Sequence, residues 1–202
     1  MGGEQIVVIV LCGGTSRRMA GRDKTRELLA GTTVLDHLLN GLPPNWGVVC
    51  VGDERATTRS VQWCREFPAG GGPVAGIAAG LDHVDHVDGE HRQRDKAAEI
   101  CVVVGGDMPF AAAALSTLVD ALTAQPGLDA VLACDPDGRT QPLLAAYRSE
   151  ALRAALPREP GGVRLMAVVE SLRIETMACE ARTTLDVDTP EALERARLIV
   201  GT

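Results

Sequence analysis

The stretch Ile6-Val7-Val8-Ile9-Val10-Leu11, followed at once by Cys12-Gly13-Gly14, decides how the rest of the chain is read. An aliphatic run with no polar alternation suits a strand covered on both faces, as inside a mostly parallel sheet. Val48–Val51, Ile100–Val104 and Ala130–Ala133 repeat the type. Between these runs the spacing turns helical. Leu35, Leu38, Leu39 and Leu42 fall at i, i+3, i+4 and i+7, as do Leu115, Leu118, Val119 and Leu122. Thr189-Pro190-Glu191 opens a last helix, with Thr as N-cap and Pro at the first helical position, where its missing N–H costs nothing. This alternation predicts a three-layer αβα fold around a mostly parallel central sheet with right-handed crossovers.

The 202 residues read as one domain, 1–202, with no internal repeat or linker. A chain of this length buries roughly 70% of the surface its unfolded form exposes, so it needs no disulfide or structural metal. Hydrophobic residues make up 46%, but the aromatics are only Trp46, Trp63, Phe67, Phe110 and Tyr147. The core must be aliphatic, and there is no platform on which several bases or sugars could stack. A net charge of −7 opposes non-specific binding to a polyphosphate, so nucleic acid is not an expected partner. The six cysteines show no CxxC pair and no His/Cys metal spacing, and Cys12, Cys50, Cys101 and Cys134 lie in or at the ends of apolar runs. They read as reduced core thiols of a cytoplasmic protein. Ile6–Cys12 has no cationic flank of the signal-peptide kind, no stretch approaches the ~18 apolar residues of a membrane span, and no membrane partner is expected. Asp82–Lys96, with His83, His86 and His91, reads as a helix end plus a solvated loop.

Ligands of parallel α/β sheets bind beyond the carboxyl ends of strands. The first strand runs into Leu11-Cys12-Gly13-Gly14-Thr15-Ser16-Arg17-Arg18-Met19-Ala20-Gly21-Arg22-Asp23-Lys24, and Arg17 to Arg26 carries a local charge of +4 in an otherwise acidic chain. Paired glycines let backbone N–H groups approach an anion, and the cations supply charge. A Walker loop is excluded because Arg22-Asp23 separates Gly21 from Lys24, and a dinucleotide fingerprint because no GxGxxG occurs there. What remains is a phosphate loop of another kind or a plain surface turn. Asp107, after Val104-Gly105-Gly106, is placed to ligate Mg²⁺ bridging a nucleotide, or equally to cap a helix. Asp186 and Asp188 share a face if their segment is extended, although Asp188 could merely brace the helix that follows. Gly70–Gly76 reads as a shaped loop leading into a helix that begins near Ile77, with a flexible linker as the alternative.

Together these motifs resemble the molybdenum cofactor guanylyltransferases (MobA-type) of the nucleotidyltransferase superfamily. Leu11-Cys12-Gly13-Gly14, continuing to Arg18-Met19-Ala20-Gly21-Arg22-Asp23-Lys24, is similar to their LAGGxxxRMGGxDK signature. Gly72-Pro73-Val74-Ala75-Gly76 resembles their GPLAG loop, Asp107-Met108-Pro109 their DxP, and Asp186-Val187-Asp188-Thr189-Pro190 their NVNTP, all in family order over essentially the whole chain. The resemblance implies a Rossmann-like nucleotidyltransferase fold and transfer of GMP from GTP to the terminal phosphate of molybdopterin, with Mg²⁺ as cofactor and molybdoenzymes or their chaperones as further partners. It makes Arg18, Lys24 and Asp107 catalytic. It draws the GTP site from Leu11, Cys12, Gly13, Gly14, Lys24, Glu66, Gly72, Pro73, Gly76 and Asp107, and the metal ligands from Asp107, Asp186 and Asp188.

The departures from the family pattern are specific. Cys12 and Ala20 replace small residues, two Asp replace the two Asn of NVNTP, Glu66 stands where members often have Asp, and Val51-Gly52-Asp53 lacks a nucleotide-contacting Asn. The acceptor phosphate is already an anion, so no strong general base is needed. Two alternatives remain open at this level: the same chemistry with CTP or another phosphorylated acceptor, and a non-catalytic nucleotide-binding adaptor for molybdoenzymes.

Overall fold

The computed structural model describes residues 5–13, 23–91 and 98–201, with the backbone alone at 86–91. Its strands are β1 (Ile6–Leu11), β2 (Leu28–Leu29), β3 (Thr32–Thr33), β4 (Gly47–Val51), β5 (Gln62–Cys64), β6 (Ile100–Gly105), β7 (Ala130–Cys134), β8 (Thr140–Arg148) and β9 (Ile174–Ala178). Its helices are α1 (Val34–Gly41), α2 (Pro73–His91), α3 (Ala112–Ala124), α4 (Ser149–Ala155), α5 (Leu165–Val169) and α6 (Pro190–Val200).

Seven strands form one sheet in the order β5-β4-β1-β6-β8-β7-β9, and β2 and β3 make a separate hairpin. Val8 of β1 lies opposite Val48 on one side and Val102 on the other, both in parallel register. The sheet is mostly parallel, as expected; β8 alone runs antiparallel to its neighbours β6 and β7. Alternate residues of these strands feed two cores. Val8, Val10, Val48, Cys50, Val102 and Val104 pack against leucines of α1 and α3, while Val7, Ile9, Val49, Val51 and Val103 pack against α2, α4 and α5. That double burial explains why the runs show no alternation of polarity, and each fully buried Val or Ile contributes roughly 1.5–3 kcal/mol. A smaller cluster of Leu29, Val34, Val187, Leu193 and Ala196 ties α6 to the hairpin. No helix among the described residues is long and apolar enough to cross a membrane. All six cysteines are free thiols, and burial pushes Cys101 up to about 12.

One expectation needs correction. The helix expected near Ile77 begins at Pro73, so Pro73–Gly76 is its first turn rather than a loop. Pro fits a first helical position, and the left-handed φ of Gly72, +86°, turns the chain into it. The glycines inside α2 serve close packing: a Cβ on Gly76 would stand 2.9 Å from Leu11 Cδ2, and one on Gly80 2.8 Å from Ile9 Cγ2. The same helix continues to His91 because Ile77, Leu81 and Val84 keep one apolar face against the sheet. The helix end expected in Asp82–Lys96 thus runs to His91, and Arg92–Lys96 lies outside the described residues.

At the far end of the sheet, Asp129 accepts hydrogen bonds from Arg173 Nε (2.9 Å), Nη2 (2.6 Å) and backbone N–H (2.9 Å), pinning the start of β9 beside β7. The side-chain bonds first, then the backbone bond, hold the Asp129 carboxyl down at about 2. Its stabilisation is therefore complete above the unfolded value of 3.8 and is lost as pH falls toward 2. Thermal melts across pH 2–5 should show Asp129→Asn losing part of the acid-limb slope of the wild type. Gly80→Val should cost about 1–3 kcal/mol in urea unfolding, through overpacking against Ile9.

Candidate functional site

The carboxyl ends of β1, β4 and β6 are stitched together by backbone hydrogen bonds that run past the strands. Cys12 N–H donates to Val51 O at 2.8 Å, and Gly106 N–H to Leu11 O at 2.9 Å. Gly106 must lack a side chain here, since a Cβ would stand 3.1 Å from Cys12 Sγ and 3.2 Å from Leu11 O. The Cys12 thiol is raised well above its usual pKa, first by its hydrogen bond with Cys50 and then by burial, so it stays neutral.

Above these ends lies a cleft with two lobes. One, of about 290 Å³, is lined by Cys12, Gly13, Thr25, Gly52, Asp53, Arg55 and Arg65 among others. The second, of about 300 Å³, is more apolar and backbone-rich, lined by Val51, Gly70, Gly72, Pro73, Gly76, Gly105 and Leu143. Leu11, Gly13, Lys24, Glu66 and Asp107 line both, so the lobes are halves of one site. Their volumes lie at the lower end of the usual range for small-molecule pockets. Glu66 stands at the partition: its Oε1 accepts from Gly70 N–H at 3.1 Å and would lie 3.8 Å from a Cβ on Gly13.

Lys24 begins a 3-10 turn, Lys24–Arg26, capped by Asp23, whose carboxylate accepts from Thr25 N–H. Its ammonium is ion-paired with both Asp107 and Asp188. Burial lowers the Lys24 pKa, but the two carboxylates outweigh it and the net shift is upward, so Lys24 stays charged. Asp107 follows β6, and its carbonyl accepts from Val187 N–H at 2.9 Å. That bond, with the fully buried Val187 side chain, brings Asp186 and Asp188 to the same place. Asp186 is pushed up to about 6, first by burial, then by the hydrogen bond and charge of Asp188 and by the charge of Asp107. Two carboxylates thus pair with one ammonium, and a third, Asp186, lies against Asp188. Among the described residues, no group of three or more His, Cys, Asp or Glu side chains is arranged to hold a metal by itself. Of the ligand set expected at Asp107, Asp186 and Asp188, Lys24 bridges Asp107 and Asp188.

The structure gathers Leu11, Cys12, Gly13, Lys24, Glu66, Gly72, Pro73, Gly76 and Asp107 around the cleft, with Asp188 at Lys24 and Asp186 beside Asp188. Gly14 and Arg18 lie outside the described residues. Arg55 and Leu143 were not legible beforehand. Arg55, whose side chain is only 9% exposed, donates to Asp23 Oδ2 and Thr25 Oγ1, each at 2.6 Å, and its guanidinium lies 5.3 Å from the Trp63 ring centroid. It grips the residues on either side of Lys24. Burial would raise the Asp23 carboxyl, but the Thr25 hydroxyl and the Arg55 charge together hold it below the usual value. Leu143 reaches the cleft through a bulge in β8, where the register with β7 jumps from Leu132↔Ala145 to Ala133↔Gln141.

Residues 8–176 match the MobA-like NTP transferase domain. The chain belongs to that family. The transferase is 31% identical over 159 residues to a molybdenum cofactor guanylyltransferase of Bradyrhizobium sp. (strain ORS 278), covering 75% of this chain and 71% of the relative. A guanylyltransferase of the same name from Shewanella sp. (strain MR-4) is 26% identical over 201 residues, 95% and 94% of the two chains. Among solved structures, the molybdopterin-guanine dinucleotide biosynthesis protein A of Archaeoglobus fulgidus shares the fold with a TM-score of 0.69 at 24% identity, covering 96% and 98%.

Within this transferase the Arg55 clamp has a measurable weight. Arg55→Ala should destabilise by about 1.5–3 kcal/mol in urea unfolding, the range for hydrogen bonds to charged groups. Arg55→Lys should recover little, because a lysine lacks both the Nε–H that donates to Asp53 O and the planar face that lies over Trp63.

Proposed function

We propose that the protein transfers GMP from GTP to the terminal phosphate of molybdopterin, giving molybdopterin guanine dinucleotide and pyrophosphate. The observation that carries this reading is the meeting of Lys24, Asp107 and Asp188 beside a two-lobed cleft built on glycine backbone. The names of the full-length relatives support the acceptor and the nucleotide.

The apolar lobe suits a nucleoside. Leu11, Val51, Pro73 and Leu143 offer flat aliphatic contact, and Gly13, Gly70 and Gly72 leave backbone groups accessible. Glu66 favours guanine, because a carboxylate can accept from both N1–H and the exocyclic amine, whereas cytosine offers one donor group on that edge. In the reaction an acceptor phosphate oxygen forms a bond to the α-phosphorus of GTP as the bond to the β-phosphate oxygen breaks. Lys24, Arg18 and the loop N–H groups hold the triphosphate and meet the charge that develops on the leaving pyrophosphate.

A divalent metal fits the residues present. Asp107, Asp186 and Asp188 are hard oxygen donors, and only Asp107 and Asp188 share the single ammonium of Lys24. Mg²⁺ ordinarily takes one or two carboxylates plus substrate phosphates rather than an all-protein cage, so an incomplete ligand set suits it. Asp107 with Asp186 and Asp188 would hold it, and when bound it supplies neutralisation of phosphate charge.

Pyrophosphate release with GTP, CTP, UTP and ATP, each offered molybdopterin, tests the reading. GTP should be used best. Lys24→Ala and Asp107→Ala should each lower turnover roughly a hundredfold or more, and wild-type turnover in either would remove these roles. Glu66→Gln should narrow the preference for GTP over CTP roughly tenfold or more, since it replaces an acceptor with an amide that is half donor.

A further inference from the structure

We propose that Lys24 keeps the divalent-cation site closed until a nucleotide arrives, its ammonium standing between Asp107 and Asp188 and giving way when a triphosphate offers it another anion. Metal and nucleotide then enter together rather than metal first. This rests on the guanylyl-transfer reading and adds an order of events to it.

The geometry identifies which partner moves. Asp107 is held at the end of β6, and its carbonyl is bonded to Val187 N–H at 2.9 Å. Val187 is itself fully buried in the cluster that anchors α6. The backbone that carries the two carboxylates is therefore held by the sheet and the core. Lys24 has a flexible four-carbon stem and a compact charge. Its backbone neighbours Asp23 and Thr25 are gripped by Arg55, so the stem can swing while the turn stays in place.

Electrostatics set the competition. The Lys24 and Asp107 side chains are only 19% and 16% exposed, so their attraction is screened less than that of a surface pair. A divalent ion arriving alone must displace an ammonium already paired with both acids. Mg²⁺ also gives up water reluctantly and wants near-octahedral oxygen ligands. A triphosphate removes both obstacles by supplying oxygens for the metal and an anion for the lysine.

Mn²⁺ binding to the full chain, read by loss of the free-ion EPR signal, tests this without turnover. Without nucleotide, Lys24→Met should bind Mn²⁺ roughly tenfold or more tightly than wild type, because a competing positive charge in direct contact is gone. Lys24→Arg, which keeps the charge, should stay near wild type, and adding Asp107→Asn to Lys24→Met should abolish the gain. GTP without acceptor should raise the affinity of wild type more than that of Lys24→Met. Equal nucleotide-free affinity in wild type and Lys24→Met, or a gain that survives Asp107→Asn, overturns the proposal; Lys24→Gln replaces Lys24→Met if the latter does not fold. The underlying reading fails separately, by absence of pyrophosphate release with GTP and molybdopterin, whereas the nucleotide-free manganese comparison decides the part of Lys24 on its own.

Discussion

β1 is hydrogen-bonded along both edges and covered on both faces, and the position of every cleft residue descends from that constraint. Because Val8 is level with Val48 and Val102, the strand ends at Leu11, Val51 and Gly105 come out at one height. The ladder then runs on past the strands, from Cys12 to Val51 and from Gly106 to Leu11. Those extra bonds bring three loops to van der Waals contact, and glycine is needed where they cross. A carboxylate placed after β6 and a glycine placed after β1 therefore face one cavity, although more than ninety residues separate them.

Charge is distributed with the same economy. The chain carries −7 overall, yet Lys24 is gathered into a nest of acids with the backbone ends of three strands beneath it. Arg55 sits one layer back, neutralising Asp23 and stacking on Trp63. One of two tryptophans is thus spent on holding the loop, and the more apolar lobe of the cleft is lined by aliphatic side chains and backbone.

What could be read beforehand had a short-range physical signature. β1, β4, β6 and β7 are apolar runs because both faces are buried, α1 and α3 show leucines at helical spacing, and Thr189-Pro190 caps α6 as its residue types require. β8 and β9 lacked such a signature. β8 opens with Thr140-Gln141-Pro142 and is buried only later, and β9 is an edge strand with mostly exposed residues. The start of α2 was misread because Gly72 and Gly76 look like loop residues, whereas their missing side chains serve a left-handed turn and close packing on Leu11. Nothing in the neighbours of Arg55 along the chain announces Asp23 and Thr25 about thirty residues earlier.

The amino-acid sequence by itself determined the layered α/β class, the strand ends where chemistry belongs, and the family, because burial pattern, caps and loop motifs are local properties. Only the tertiary structure decided that Lys24 lies between Asp107 and Asp188, that Arg55 braces the lysine, and that a bulge presents Leu143 to the cleft. Those are encounters between residues far apart in the chain, and their energies depend on distance, burial and competing partners, none of which a linear spacing records.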